Sequence, residues 1–210
     1  MTTSDPSQQV FWLASRALGI VAIVLLSLSV SLGLAMSGRL IRRPGLPAKL
    51  KRFHEASTLV TLALIAAHAG VLLLDGYLRP GLAGITLPFA LGYRPLWTGI
   101  GVVAGWLALI LAASFYVRRW IGVKTWRWLH RWTLAVYVLA LAHVVGAGTD
   151  GRSPWMLALL TVLIAPNIFA LAYRMLPAAP RQGPRPAGQQ RRTDRADRSL
   201  PAAPRYGSPL

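Results

Sequence analysis

The stretch FHEASTLVTLALIAAHAGVLLL, Phe53 to Leu74, decides how this chain is read. Its 22 residues hold one acid, Glu55, and no Lys or Arg. They are long and apolar enough to cross a hydrocarbon core of about 30 Å, which takes about 20 residues. A histidine nonetheless stands near each end, His54 and His68. Ionisable groups inside a membrane are costly and mark functional sites by default.

Four more segments qualify as spans: Phe11 to Met36, Thr98 to Val117, Trp128 to Gly146 and Trp155 to Tyr173. The expected fold is therefore all-α, a polytopic bundle of about five transmembrane helices in a lipid bilayer. The amino terminus does not read as a cleaved signal peptide, because Asp5 is its only charge before Arg16 and the apolar run behind it is too long. Residues 1–10 are expected to be a short terminus, 11–175 the membrane domain and 176–210 a disordered, basic, proline-rich tail. Seven of the fifteen prolines fall between Pro177 and Leu210, a composition that cannot bury enough apolar surface to order itself.

Charge supplies the orientation. The chain is 54% hydrophobic and 14% charged, yet carries a formal +17 from 23 basic and 6 acidic residues. Such an excess ordinarily suggests nucleic acid, but here it is split into three patches by apolar runs. Arg39, Arg42, Arg43, Lys49, Lys51 and Arg52 form one patch, and Arg118, Arg119, Lys124, Arg127 and Arg131 a second. The third is the stretch from Arg174 onward, with eight Arg against Asp194 and Asp197. Elsewhere the charges cancel. Basic short loops favour the cytoplasm, so the amino terminus is expected outside, the tail inside, and nucleic acid is not an expected partner. Trp12, Tyr77, Tyr93, Trp97 and Trp155 then fall at the outer interface and Trp120, Trp126 and Trp128 at the inner one, as aromatic belts do. Trp106, inside the third span, reads as a packing residue.

All four histidines lie in the second and fourth spans: His54 and His68, then His130 and His143. At about 1.5 Å of rise per residue, the pairs are separated by about 21 Å and about 19.5 Å. The two spans run in the same direction, so His54 shares a level with His130, and His68 with His143. Two facing imidazoles at each level suit an iron porphyrin. Zinc wants three or four converging ligands, and the only other candidate is Glu55. The chain has no cysteine, which excludes covalent c-type attachment, thiolate metal sites and disulfides. The expected cofactors are two non-covalent b-type haems. Small residues between the ligands, Ala56, Ser57, Ala63, Ala66 and Ala67, leave room for a flat ring or serve helix packing. The angles are uneven: at about 100° per residue, 14 steps return near the same face but 13 miss it by about 140°. The fourth span must present its histidines on different sides or contain a bulge or kink.

The H-x13-H and H-x12-H pairs, with WLASRALG at Trp12 to Gly19, YRPLW at Tyr93 to Trp97 and AHVVGAGTD at Ala142 to Asp150, resemble the ferric reductase-like transmembrane domain. That domain is the haem-bearing part of ferric reductases and NADPH oxidases, and is related to the haem subunit of the periplasmic methionine sulfoxide reductase system. The resemblance covers about residues 11 to 175. It implies that His54 and His130 hold an inner haem iron, His68 and His143 an outer one, and that electrons pass outward across a bacterial plasma membrane. It further implies a separate flavoprotein or quinol as donor and ferric iron, dioxygen or an extracytoplasmic oxidoreductase as acceptor. The family commonly has six helices where five are counted here, and many members continue into flavin and nicotinamide domains. Gly99, Gly101 and Gly105 lack a preceding strand and read as Gly-x3-Gly helix packing rather than a nucleotide loop.

Arg16, about a turn inside the first span, is expected either to snorkel to the surface or to bind an outer haem propionate. Arg52, Arg127 and Arg131 flank the inner ligands and either bind propionates or simply set topology. Asp75, Arg94 and Asp150 are rim residues, either solvated or contacts for a partner. Two other classes fit less well: a proton-relaying transporter, for which Glu55 and Asp75 at helix edges are the few carboxylates on offer, and a haem sensor without electron transfer.

Overall fold

The computed structural model describes residues 6–37 and 46–175. Among these residues it is all helix, without a strand. Its principal helices are α1 (Pro6–Ser37), α2 (Leu46–Val71), α4 (Pro95–Tyr116), α7 (Thr133–Ala147) and α8 (Pro154–Met175). The short helices α3 (Gly81–Thr86), α5 (Arg118–Ile121) and α6 (Val123–His130) connect them. Five helical stretches are long and apolar enough to span a bilayer: Gln9–Ser37, Ala48–Leu74, Pro95–Tyr116, Val123–Ala147 and Pro154–Met175. The expected fold class is thus borne out. Arg39, Arg42, Arg43, Asp5 and the whole expected tail lie outside the described residues.

The helix bounds differ from the sequence expectation mainly in the second span. It starts at Leu46, seven residues before Phe53, so Lys49, Lys51 and Arg52 ride on its first turns. Residues of this type are compatible with helix, and apolarity alone underestimates a span whose end projects into the headgroups.

α1 packs along α2, and α4 along α7, while α8 is held mainly against α1. α1 is thus the main support of α2, and α4 that of α7. Most large apolar side chains point outward, as lipid-facing surfaces require; Ile110, Val138, Val162 and Phe169 are examples. The protein-buried core is small and lies between α1, α7 and α8, built from Ile23, Val30, Leu34, Tyr137, Met156, Leu160 and Ala170.

A polar network crosses this core. Asn167 Nδ2 donates to Leu163 O (2.9 Å) and to Tyr137 Oη (3.3 Å), while Ser27 Oγ lies 3.1 Å from Tyr137 Oη and Ser31 Oγ 2.9 Å from Asn167 Oδ1. Pro166 stands inside α8 and has no N–H to offer the preceding turn. The Asn167 side chain bonds to Leu163 O, next to Val162 O, the carbonyl that Pro166 leaves without its helical partner. Interhelical hydrogen bonds within membranes are worth on average about 0.6 and at most about 1.7 kcal/mol. Asn167→Leu, which removes several at once, is expected to destabilise the bundle by about 1 to 2 kcal/mol, read as an earlier unfolding midpoint in a detergent titration. An unchanged midpoint would show that the network contributes nothing.

Trp106 does not pack inside the bundle. It is 46% exposed and its indole N–H donates to Thr86 O at 2.8 Å. It thereby ties α3 to α4.

Candidate functional site

The four histidines meet in two pairs. His54 and His130 have ring centres 6.1 Å apart, and His68 and His143 6.2 Å, with the rings nearly perpendicular in both cases. α2 carries one member of each pair and α7 with α6 the other, so the two levels expected from helix rise both form.

The angular problem of the 13-residue spacing is solved by a break. α6 ends at His130 and α7 begins at Thr133. Between them the amides of Arg131 and Trp132 bond back only three residues, to Trp128 O and Leu129 O. This tightened turn changes the helix phase.

Each of three histidines is set by a neighbouring helix through the same device. On α1, Ser15 O accepts from His68 Nδ1 at 2.7 Å, and Gly19, one turn on, lies under the ring, where an added Cβ would come within 3.0 Å of Nδ1. Fourteen residues later, Ser29 Oγ lies 3.0 Å from His54 Nδ1, and Gly33 faces the same ring. On α4, Trp97 O accepts from His143 Nδ1 at 2.9 Å, and a Cβ on Gly101 would overlap the His143 ring. The pattern is an acceptor at position i and a glycine at i+4, neighbours on one helix face.

Hydrogen-bond logic fixes the tautomers. A carbonyl can only accept, so Nδ1 of His68 and of His143 carries the proton. Around His54, Thr58 Oγ1 donates to His54 O at 2.8 Å, which leaves Ser29 to donate to Thr58 (3.0 Å) and to accept from His54 Nδ1. Ser15 Oγ likewise donates to His68 O at 2.9 Å. In all three the Nε2 lone pair is left for a ligand, the usual arrangement of metal-bound imidazoles.

His130 is the exception. Its ring stacks on Trp126, one turn earlier, with centres 5.3 Å apart. The Trp126 indole N–H is buried and without a partner. From sequence alone Trp126 belongs to the interfacial belt; the structure puts it against a candidate ligand.

These residues fit a haem. Two imidazoles bound to one metal at about 2 Å each have ring centres a little over about 6 Å apart, close to both observed separations. Among the described residues no group of three or more His, Cys, Asp or Glu could hold a bare ion. Each level offers two nitrogens, and a porphyrin contributes the remaining four.

Residues 18–141, more than half of the chain, match the family model of the ferric reductase like transmembrane component. The chain belongs to the ferric reductase-like transmembrane family. No curated protein and no solved structure matches it significantly. The matched part of this ferric reductase-like chain contains His54, His68 and His130 and stops two residues short of His143. The pairing of His143 with His68 therefore rests on geometry.

The other residues singled out from sequence are distributed as follows. Arg16 forms an ion pair with Asp150 and lies over the Trp12 ring at 5.4 Å, an arrangement not among those expected for it. Asp75 is buried and accepts from the amides of Tyr77 (2.9 Å) and Leu78 (2.7 Å), closing a turn. Arg94 donates to Gly146 O at 2.7 Å. Arg52, Arg127 and Arg131 are exposed at the His54–His130 end. Of the five small residues on α2, Ser57 is buried and donates to His54 O, whereas Ala56, Ala63 and Ala66 are exposed, so close helix packing does not account for those three. Gly101 and Gly105 do not form one packing motif: Gly101 faces His143 and Gly105 faces Ile65 of α2.

Sequence reasoning missed the supporting residues Ser15, Ser29, Gly19, Gly33 and Trp97 of the ferric reductase-like site. A signal was present, since Ser15/Ser29 and Gly19/Gly33 repeat at 14 residues, the spacing of His54 and His68. The Ser29 hydroxyl stands at His54 Nδ1 and is held there by Thr58, whereas Ser15 accepts from His68 Nδ1 through its main-chain carbonyl. Ser29→Ala is expected to weaken cofactor retention at its level by about 10- to 100-fold, as loss of such supporting bonds typically does, and Ser15→Ala by much less. Cofactor retained after graded dilution in detergent measures both. Equal losses would refute the difference.

Proposed function

We propose that this membrane electron-transfer module is a two-haem b cytochrome, with His54 and His130 ligating one iron and His68 and His143 the other. The observation that carries the proposal is the matched pair of imidazole separations, each with Nδ1 engaged where a partner exists and Nε2 free. Bound haem would supply a ferric/ferrous one-electron couple. The protein's own contribution is positional. α1 and α4 orient three imidazoles and fix their tautomers, and the break after His130 turns the fourth toward its partner.

The basic patches support a topology with the His54–His130 level on the cytoplasmic side and the His68–His143 level outside, and the family resemblance supports a bacterial plasma membrane. Electrons would enter from a separate flavoprotein or quinol and leave to ferric iron or an extracytoplasmic oxidoreductase. At the inner level Arg52, Arg131 and the unpartnered Trp126 indole N–H are the donors available to haem carboxylates. Arg16, engaged by Asp150, would be available only by giving up that pair.

The test is a reduced-minus-oxidised spectrum with haem stoichiometry on the purified chain. A reducible b-type spectrum with about two haems per chain is expected from the two paired levels. A colourless protein would sink the proposal.

A further inference from the structure

A cavity of about 470 Å³ opens beside the His68–His143 level, walled by Arg94, Leu96, Trp97, Gly146, Thr149 and Arg152 among others. Its wall carries two guanidinium groups and no acid. The nearby acids are committed elsewhere. Asp150, two residues before Arg152, is taken by Arg16, and Asp75 closes its own turn. Neither Arg94 nor Arg152 has an acidic partner among the described residues. Arg94 is also held in place: its Nη1 donates to Gly146 O, its guanidinium lies over Tyr93 at 5.5 Å, and its backbone adopts a left-handed conformation (φ 43°) that a non-glycine residue keeps only when its surroundings impose it. Arg152 is exposed and free to pivot. Trp97 joins this cavity to the site, since it lines the wall while its carbonyl holds His143.

We propose that this cavity is a carboxylate-binding site, in which Arg94 and Arg152 clamp a small polycarboxylate next to the His143 ligand. Planar guanidinium forks match carboxylates in a bidentate manner. The binding rests only on the cavity and its charges; that the bound anion lies at the electron exit rests on the haem reading above. The carboxylates could belong to a free anionic acceptor or to the propionates of a porphyrin on His68 and His143, and the experiment separates these sources.

Citrate is titrated into the detergent-solubilised full chain, with and without bound haem, while tryptophan fluorescence is followed. The variants are Arg152→Gln and, as a control cation outside the cavity, Arg79→Gln. If the occupant is a free acceptor, haem-loaded protein binds citrate, Arg152→Gln weakens binding about tenfold or more, Arg79→Gln does not, and haem content is unchanged. If the occupant is the porphyrin, citrate binds only the haem-free chain and Arg152→Gln lowers haem retention. Either outcome supports the site. Citrate binding and haem retention both indifferent to Arg152→Gln, or equally weakened by Arg79→Gln, would overturn it. Failure of the haem reading appears separately, as a missing b-type spectrum alongside an intact citrate titration.

Discussion

His68→Ala is expected to hold about one haem per chain where the unaltered protein holds about two. His68 lies 14 residues from His54 on α2, about 21 Å of rise, far beyond the distance at which substitutions couple. The two levels share no hydrogen-bond partner. Ser15 serves His68 and Ser29 serves His54. Loss of one imidazole leaves His143 without the group that faces it at 6.2 Å and leaves the His54–His130 pair as it was. His54→Ala should give the same stoichiometry by emptying the other level, and the double substitution should give a colourless protein. Haem per chain by alkaline pyridine absorbance decides the matter, with helix content by circular dichroism confirming that each variant folds. Two haems retained by His68→Ala would show that the ligand pairing is wrong.

Gly101→Ala is expected to reproduce much of the loss of His143→Ala without touching a ligand. A methyl group there would overlap three atoms of the His143 ring, whose Nδ1 is anchored to Trp97 O at 2.9 Å on the same helix. The ring cannot yield without giving up that bond, and overpacking of this kind costs about 1 to 3 kcal/mol. Gly105→Ala is the control. Its added Cβ would sit 3.6 Å from Ile65 Cγ2, an ordinary contact. The measurement is again haem per chain, with the position of the reduced absorption band reporting a change of axial ligation. If Gly101→Ala and Gly105→Ala both retain the unaltered spectrum, the glycine does not cradle the ligand.

Much of this architecture was legible in the residues themselves. Span count, parallel direction of the second and fourth spans and the sorting of four histidines into two levels all follow from apolar length and from a rise per residue that is nearly constant in any helix. The unevenness of the 13-residue spacing was legible too, but not its resolution. Nothing in Trp128 to Thr133 marks the break, since none of these residues is glycine or proline, and the tightened turn exists because pairing His130 with His54 demands a change of phase. Arg16 shows the same limit. Its depth in the first span is readable, whereas its partner Asp150 is 134 positions away and is brought close only by packing.

The sequence by itself determined five apolar stretches long enough to cross a membrane and four histidines at two levels, because those properties depend on composition and on distances along single helices. The tertiary structure alone decided which residues hold the imidazoles still. An acceptor and a glycine one turn apart are unremarkable in a sequence, and they become a cradle only when α1 lies against α2 and α4 against α7. Which helix faces which is set by packing across the whole bundle, and local periodicity does not encode it.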